Sequence, residues 1–329
     1  MIVTPVLAQE LATEAASEAT GRMLRLGLLV ILAVFLLYFL VVWLTGLRRR
    51  SRSQGQGLAR PAAPELATGF VTVFFDTFGI GSFATTTSIF RAWKLVPDEL
   101  IPGTLNVGHA VTSVMSAFVF IELVPVAPAT LLSMIAASGV GAWLGAGVVA
   151  RLSRYRVRLG MGSALLVAAS IMLATQLGLL PGGGDALALS GMALVTAVLG
   201  NLVLGALMTL GIGLYAPCMM MVFLLGMNPK AAFPIMMGSC ALLLPVSGIR
   251  FVRKDKFHPT AALGLTLGGI PALLIAAYVV KALPIGAVRW AVIVVVVYTA
   301  ITLLRAALQE RRTFADRAST MAAPAAMEP

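Results

Sequence analysis

Thr77-Phe-Gly-Ile-Gly-Ser-Phe-Ala84 and Thr209-Leu-Gly-Ile-Gly-Leu-Tyr-Ala216 are one motif written twice. Thr, Gly, Ile, Gly and the closing Ala coincide, and Phe83 aligns with Tyr215. At the same offset Pro102 aligns with Pro234, and a few residues later come Gly108-His109 and Gly238-Ser239. Each copy interrupts a long apolar segment and is followed by three plain apolar segments. Paired glycines within an apolar run let the chain leave the helix and reverse. The expected fold is therefore all-α, built from two four-segment repeats that each begin with a Gly-interrupted, re-entrant or broken helix.

Working outward, the apolar segments fall at about 65–90, 104–124, 129–150, 159–180, 190–227, 231–250, 260–281 and 286–307. A further run, MLRLGLLVILAVFLLYFLVVWLTGL at 23–47, precedes them and is followed by Arg48, Arg49, Arg50, Arg52 and Arg60. A cleaved signal peptide carries its charge before a shorter apolar run, so 23–47 reads as an extra, uncleaved transmembrane helix. The chain divides into 1–64 (tail, extra helix and basic linker), 65–180 (first repeat), 188–307 (second repeat) and 308–329 (a disordered cytoplasmic tail). Composition agrees: 59% of residues are hydrophobic and 11% charged, against about 45–50% and about 25% in soluble domains. A soluble enzyme and a disordered chain are both excluded. The net charge of +11 belongs to membrane loops rather than to a nucleic-acid interface. Cys218 and Cys240 lie singly in apolar runs, with no disulfide framework and no metal-ligand spacing.

Charge decides the topology. If both Gly-interrupted segments crossed the bilayer, Lys and Arg would divide 13 inside to 11 outside. If each enters and leaves on one side, the division is 19 to 5, with only Arg22, Arg25, Lys230, Lys281 and Arg289 outside. Basic residues concentrate on the cytoplasmic side, which selects the second arrangement. The repeats are then inverted, with the N-terminus outside and the C-terminus cytoplasmic. The 14 residues of 65–78 span about 20 Å as a helix, past the middle of a hydrocarbon core of about 30 Å. Non-helical backbone at that depth must be buried in protein or line a wet cavity, so the two Gly-Ile-Gly tips are expected to meet inside.

The duplicated motif with three helices after each copy resembles the TauE/SafE sulfite exporter family, also called the toluene sulfonate uptake permeases. The first half carries the resemblance on Phe75-Asp-Thr-Phe-Gly-Ile-Gly-Ser-Phe-Ala-Thr-Thr-Thr87 and Ile101-Pro-Gly-Thr-Leu-Asn-Val-Gly-His109. The second half carries it on Gly211-Ile-Gly-Leu-Tyr-Ala-Pro-Cys218, Gly226-Met-Asn-Pro-Lys-Ala-Ala-Phe-Pro234 and Met237-Gly-Ser239. It covers roughly 65–307, leaving 23–47 as an addition, and departs where Ser82 and Leu214 interrupt the family's run of three glycines. The resemblance implies a permease of the bacterial cytoplasmic (inner) membrane for sulfite, sulfonates or other small organic anions. A homodimer is one assembly such a protein could adopt.

The candidate site follows from the motif. Gly79, Gly81, Gly211 and Gly213 free backbone N–H groups at the tips, and new half-helices begin at about Ser82 and Leu214. Helix N-termini attract anions, so two facing each other would cradle a small anion, as in other broken-helix transporters. Ser82, Thr85 and Tyr215 are candidate hydroxyl donors. Asn106, His109 and Ser239 follow on the next helix of each repeat as further candidate substrate ligands. Asp76 is the only acid inside the first hairpin, Glu65 standing at its edge; an acid within a membrane is a functional candidate by default, here as a proton-coupling residue. For the remaining polar positions, including Asn201, polar contacts between helices are the plainer expectation. No Walker-type Gly-x-x-x-x-Gly-Lys-Ser/Thr, His-Glu-x-x-His or Gly-x-Ser-x-Gly motif marks a nucleotide or catalytic site in the membrane region. The expectation is a secondary transporter without cofactor or metal, with a passive anion channel and an intramembrane enzyme as the competing readings.

Overall fold

The computed structural model describes residues 5–54, 60–148, 154–179, 184–208 and 213–322. Among them it forms twelve α-helices: α1 (Pro5–Gln54), α2 (Ala63–Thr77), α3 (Ser82–Ala92), α4 (Ile101–Gly108), α5 (Ala110–Leu123), α6 (Pro128–Val148), α7 (Arg154–Gln176), α8 (Gly191–Met208), α9 (Tyr215–Leu224), α10 (Ala232–Arg253), α11 (Pro259–Ala282) and α12 (Ile285–Ala322). Seven helical stretches are long and apolar enough to cross a bilayer, with α4 and α5 together counting as one. Large apolar side chains face outward on them, among them Val30, Val167, Leu199, Ile275 and Val294, all at least half exposed. Such a surface is stable only against lipid. The protein is an all-α, multi-pass membrane protein.

Two helices form each interrupted unit, and α8 of the second is itself one of the seven long apolar stretches. α2 starts at Ala63 with Pro64 in its first turn, and the Glu65 carboxylate accepts the Ala62 N–H at 2.9 Å. It stops at Thr77 because Gly79 and Gly81 take φ of 94° and 85°, a region open to glycine but not to a continuing helix. α3 begins at Ser82 and runs back. α8 and α9 flank residues 209–214, of which 209–212, including Gly211, lie outside the described residues.

Close packing ties each unit to a later or earlier helix. α2 lies on α11 and α6 on α8. A Cβ at Gly268 would stand 2.0 Å from the Leu66 carbonyl oxygen, and one at Gly141 would stand 1.9 Å from that of Leu202, so both contacts need glycine. α5 and α10 pack against each other through the core, with Phe120 stacked on Phe233 at 5.2 Å, and α7 lies on α12.

Loop contacts sort the helix ends into two faces. On one face His258 N–H donates to Thr104 Oγ1 at 2.9 Å, Arg50 pairs with Asp255 at 2.9 Å and Arg158 with Glu310 at 3.3 Å. On the other, Ala127 N–H donates to Leu187 O at 2.8 Å, Lys230 Nζ to Leu283 O at 3.0 Å, and Arg289 pairs with Asp185 at 3.3 Å. The α2–α3 unit begins and ends on the first face. Glu65 abuts Gly264, while Phe90, Val96 and Ile101 pack with Ala261 and Leu265. The α8–α9 unit begins and ends on the second, where Ala186 O accepts the Asn228 N–H at 2.9 Å. Each unit is thus a hairpin that returns to the face it left.

Two boundaries differ from the sequence reading. α1 extends well beyond 23–47 in both directions, and α12 continues to Ala322, where a disordered tail was expected from 308. Ala, Leu, Gln, Glu and Arg dominate 305–312, and these residues sustain a helix without an apolar face to bury. The Arg158–Glu310 pair holds the first turn beyond the apolar part.

Candidate functional site

The two hairpins point at one another, and a cavity lies where they meet. Its walls come from the first tip (Asp76, Gly79, Ile80, Gly81, Ser82, Phe83) and the second (Gly213, Leu214, Tyr215, Ala216). His109, between α4 and α5, joins Thr112 and Ser113 of α5, and the rest comes from α8, α10 and α12. The space not filled by atoms is about 650 Å3, a figure that includes the solvent at its open mouth. Among the described residues no lysine or arginine lines it.

The first tip is braced by its own acid. Asp76, in the last turn of α2, accepts the Ser82 N–H at 2.6 Å through Oδ1. It therefore caps α3 across the reversed backbone, a charge-assisted bond at a helix N-terminus. The first terminus of the expected anion cradle thus already holds one of the chain's own carboxylates. Tyr215 of the second tip lies close enough to interact with both Asp76 and Cys240, so Asp76 links the two hairpins.

His109 stands at the junction of α4 and α5, buried, with Nε2 3.2 Å from Thr86 Oγ1 and its ring 6.0 Å from that of Phe83. Thr86 is the member of the hydroxyl cluster that reaches across to another helix. The Thr85 hydroxyl donates to Gly81 O and Ser82 O at 3.3 and 2.9 Å, and the Thr87 hydroxyl to Phe83 O at 2.7 Å, the usual fate of hydroxyls in apolar helices.

Of the residues expected from sequence, the structure brings Asp76, Gly79, Gly81, Ser82, His109, Gly213 and Tyr215 to this cavity. Thr85 is not on its walls. Asn106 is tied to its own helix through Pro102 O at 2.8 Å and accepts the Ser247 hydroxyl of α10. Ser239 is fully buried and accepts a bond from Asn201 Nδ2 at 3.2 Å, while the same Nδ2 donates to Met134 O at 2.6 Å. These are contacts between helices. Ser113 and Thr299 line the cavity and escaped the sequence reading. Ser113 carried a signal, since it lies one helical turn past His109 on the same face. Thr299 carried none.

Seven apolar spans, two broken hairpins and a buried cavity at their tips define a membrane protein of transporter layout. A family model described as Sulfite exporter TauE/SafE matches residues 6–172. The chain belongs to that family, and is thus a membrane transporter and not an enzyme. Membership implies a small anionic substrate. The match begins within α1, so that helix falls inside the family region rather than being an addition to it. Neither a curated protein nor a solved structure matches the chain.

Proposed function

We propose that this protein is a secondary transporter that moves a small anion, of the sulfur oxyanion or organosulfonate class, through the cavity between the hairpin tips by alternating access. The observation that carries the reading is the pair of hairpins that open to opposite faces and converge on one largely apolar space with polar groups at His109, Ser113 and Thr299. The packing pattern adds support. Matching α2–α3 with α8–α9, α4–α5 with α10, α6 with α11 and α7 with α12 turns the α2–α11 contact into the α8–α6 contact. It maps α5–α10 and α7–α12 onto themselves. That is the behaviour of two inverted repeats, and exchanging their conformations exchanges the open side.

The 19-to-5 division of basic residues puts the Arg50, Asp255 and Glu310 face in the cytoplasm and the N-terminus outside, as for a bacterial inner-membrane protein. With no arginine or lysine on the walls among the described residues, an anion is held by dipoles and hydroxyls and released readily. Asp76 is the candidate proton-coupling residue: it is an acid on the wall whose bond to α3 and proximity to Tyr215 join both moving units. The competing reading is a passive anion channel on the same scaffold. Proteoliposome uptake of sulfite and of ethanesulfonate, with and without an imposed proton gradient, separates them. Gradient-dependent accumulation is expected; flux that only equilibrates and ignores the proton gradient would establish the channel.

A further inference from the structure

Three buried polar atoms on the cavity wall have no hydrogen-bond partner in the chain: His109 Nδ1, Ser113 Oγ and Thr299 Oγ1. Protein interiors pair nearly all such atoms, and each exception asks for an explanation. The others among the described residues, Trp43 Nε1, Asn201 Oδ1 and Arg289 Nε, lie off this cavity. Three unpaired atoms on residues that line one cavity are a demand for an external partner.

Their chemistry is one-sided. Thr86 has a single hydrogen-bond partner, His109 Nε2 at 3.2 Å, while its neighbours Thr85, Thr87 and Ser88 donate to carbonyls one turn back. The proposed arrangement takes the tautomer in which the Thr86 hydroxyl donates to Nε2; the neutral imidazole then carries its proton on Nδ1, and Nδ1–H is a donor. Ser113 sits one turn further along α5, where its N–H bonds His109 O at 2.9 Å, and Thr299 comes from α12. Each hydroxyl has one proton to give. Asp76, the acid on the wall, is already engaged with Ser82 N–H. Ile80, Phe83, Leu214 and Leu244 make the neighbouring wall apolar.

We propose that His109, Ser113 and Thr299 form the head-group subsite, one donor to each oxygen of a three-oxygen head such as a sulfonate, and that they set a preference for such heads over carboxylates. A two-oxygen head leaves one of the three donors buried and unpaired, which is how polar sites discriminate strongly. The apolar wall faces the organic remainder. The proposal rests on the cavity being the anion site of a transporter.

The test is calorimetric titration of the full-length protein in detergent with ethanesulfonate and propionate, which share a chain and differ in the head. Wild type is expected to bind ethanesulfonate roughly 10-fold more tightly than propionate, the worth of one charged hydrogen bond. S113A and T299V should each weaken ethanesulfonate roughly 10-fold and propionate less. Because no bond within the chain is lost, the ligand-free variants should melt at or above the wild-type temperature. That last readout separates a ligand-binding hydroxyl from a structural one. Unchanged ethanesulfonate affinity in both variants, or a lowered ligand-free melting temperature with the head preference intact, overturns the subsite. Equal binding of the two probes by wild type overturns the head preference but leaves the anion site. Binding of neither probe by wild type overturns the anion-site reading itself, and the subsite with it.

Discussion

Asp76 performs a structural task and, on the proposed reading, a transport task, and two substitutions separate them. Its Oδ1 accepts the Ser82 N–H at 2.6 Å and so closes the reversal through Gly79 and Gly81. Asn and Asp serve equally well at helix N-termini, so Asp76→Asn keeps the bond and loses only its charge. The loss is about 1 kcal/mol, from charge assistance and the helix dipole. Asp76→Ala leaves the N–H of Ser82 buried and unpaired, at about 1–3 kcal/mol, or a melting temperature lower by about 2–6 °C. Proteoliposomes carrying each variant would be assayed for ethanesulfonate uptake driven by a pH gradient and for exchange of labelled against unlabelled ethanesulfonate. For Asp76→Asn, exchange should persist and accumulation should stop, because the side chain can no longer take up and release a proton. For Asp76→Ala both modes should fall together with stability. If Asp76→Asn still accumulates substrate against its gradient, Asp76 is not the coupling residue, and His109 is the next titratable group on the wall.

Further outcomes follow from particular positions. Gly213→Val should abolish transport and barely move the melting temperature, since a Cβ there meets nothing within 4 Å. Gly81→Val should also block transport but melt lower, because φ of 85° strains a β-branched residue by about 1–3 kcal/mol; wild-type uptake in both variants would mean the tips do not line the path. Gly141→Ala places a Cβ 1.9 Å from Leu202 O and should cost several degrees of melting temperature by prising α6 from α8. His258 caps α11 by accepting the Ala261 N–H at 3.3 Å through Nδ1. Its imidazole is held below its ordinary range by partial burial first and by Arg50, with Glu65 opposing. The unfolded chain therefore binds the proton more readily, so stability is full above about pH 6.5 and declines as pH falls below it; His258→Asn should flatten that decline in melting curves recorded from pH 7.5 to 5. Lys94→Cys and Arg156→Cys, both at exposed positions, should resist an impermeant thiol reagent applied to intact cells. Labelling of Arg156→Cys from outside would refute the same-side hairpin topology.

Some of this was legible in the sequence alone. Apolar composition demands lipid, and the Gly79–Gly81 pair breaks its helix, because hydration and backbone sterics act residue by residue. The end of α2 at Thr77 and the starts of α3 at Ser82 and α9 at Tyr215 lie where the Gly-Ile-Gly motif places them. The unequal distribution of arginine and lysine anticipated that each hairpin returns to its own face. What packing alone decided was the identity of the polar groups that share a space. Thr85, Thr86 and Thr87 are equivalent as a string, yet they point about 100° apart around α3, and only the approach of α5 turns Thr86 toward His109. Asn106 meets Ser247 and Ser239 meets Asn201 for the same reason: facing helices carry the partners. Asp76 reads as a solitary acid until the reversal brings Ser82 N–H back over it. Thr299 lies 186 residues from Ser113 in the chain, and no local pattern relates them. Their common cavity exists because close contacts such as Gly141 on Leu202 and Gly268 on Leu66 set where each helix stands.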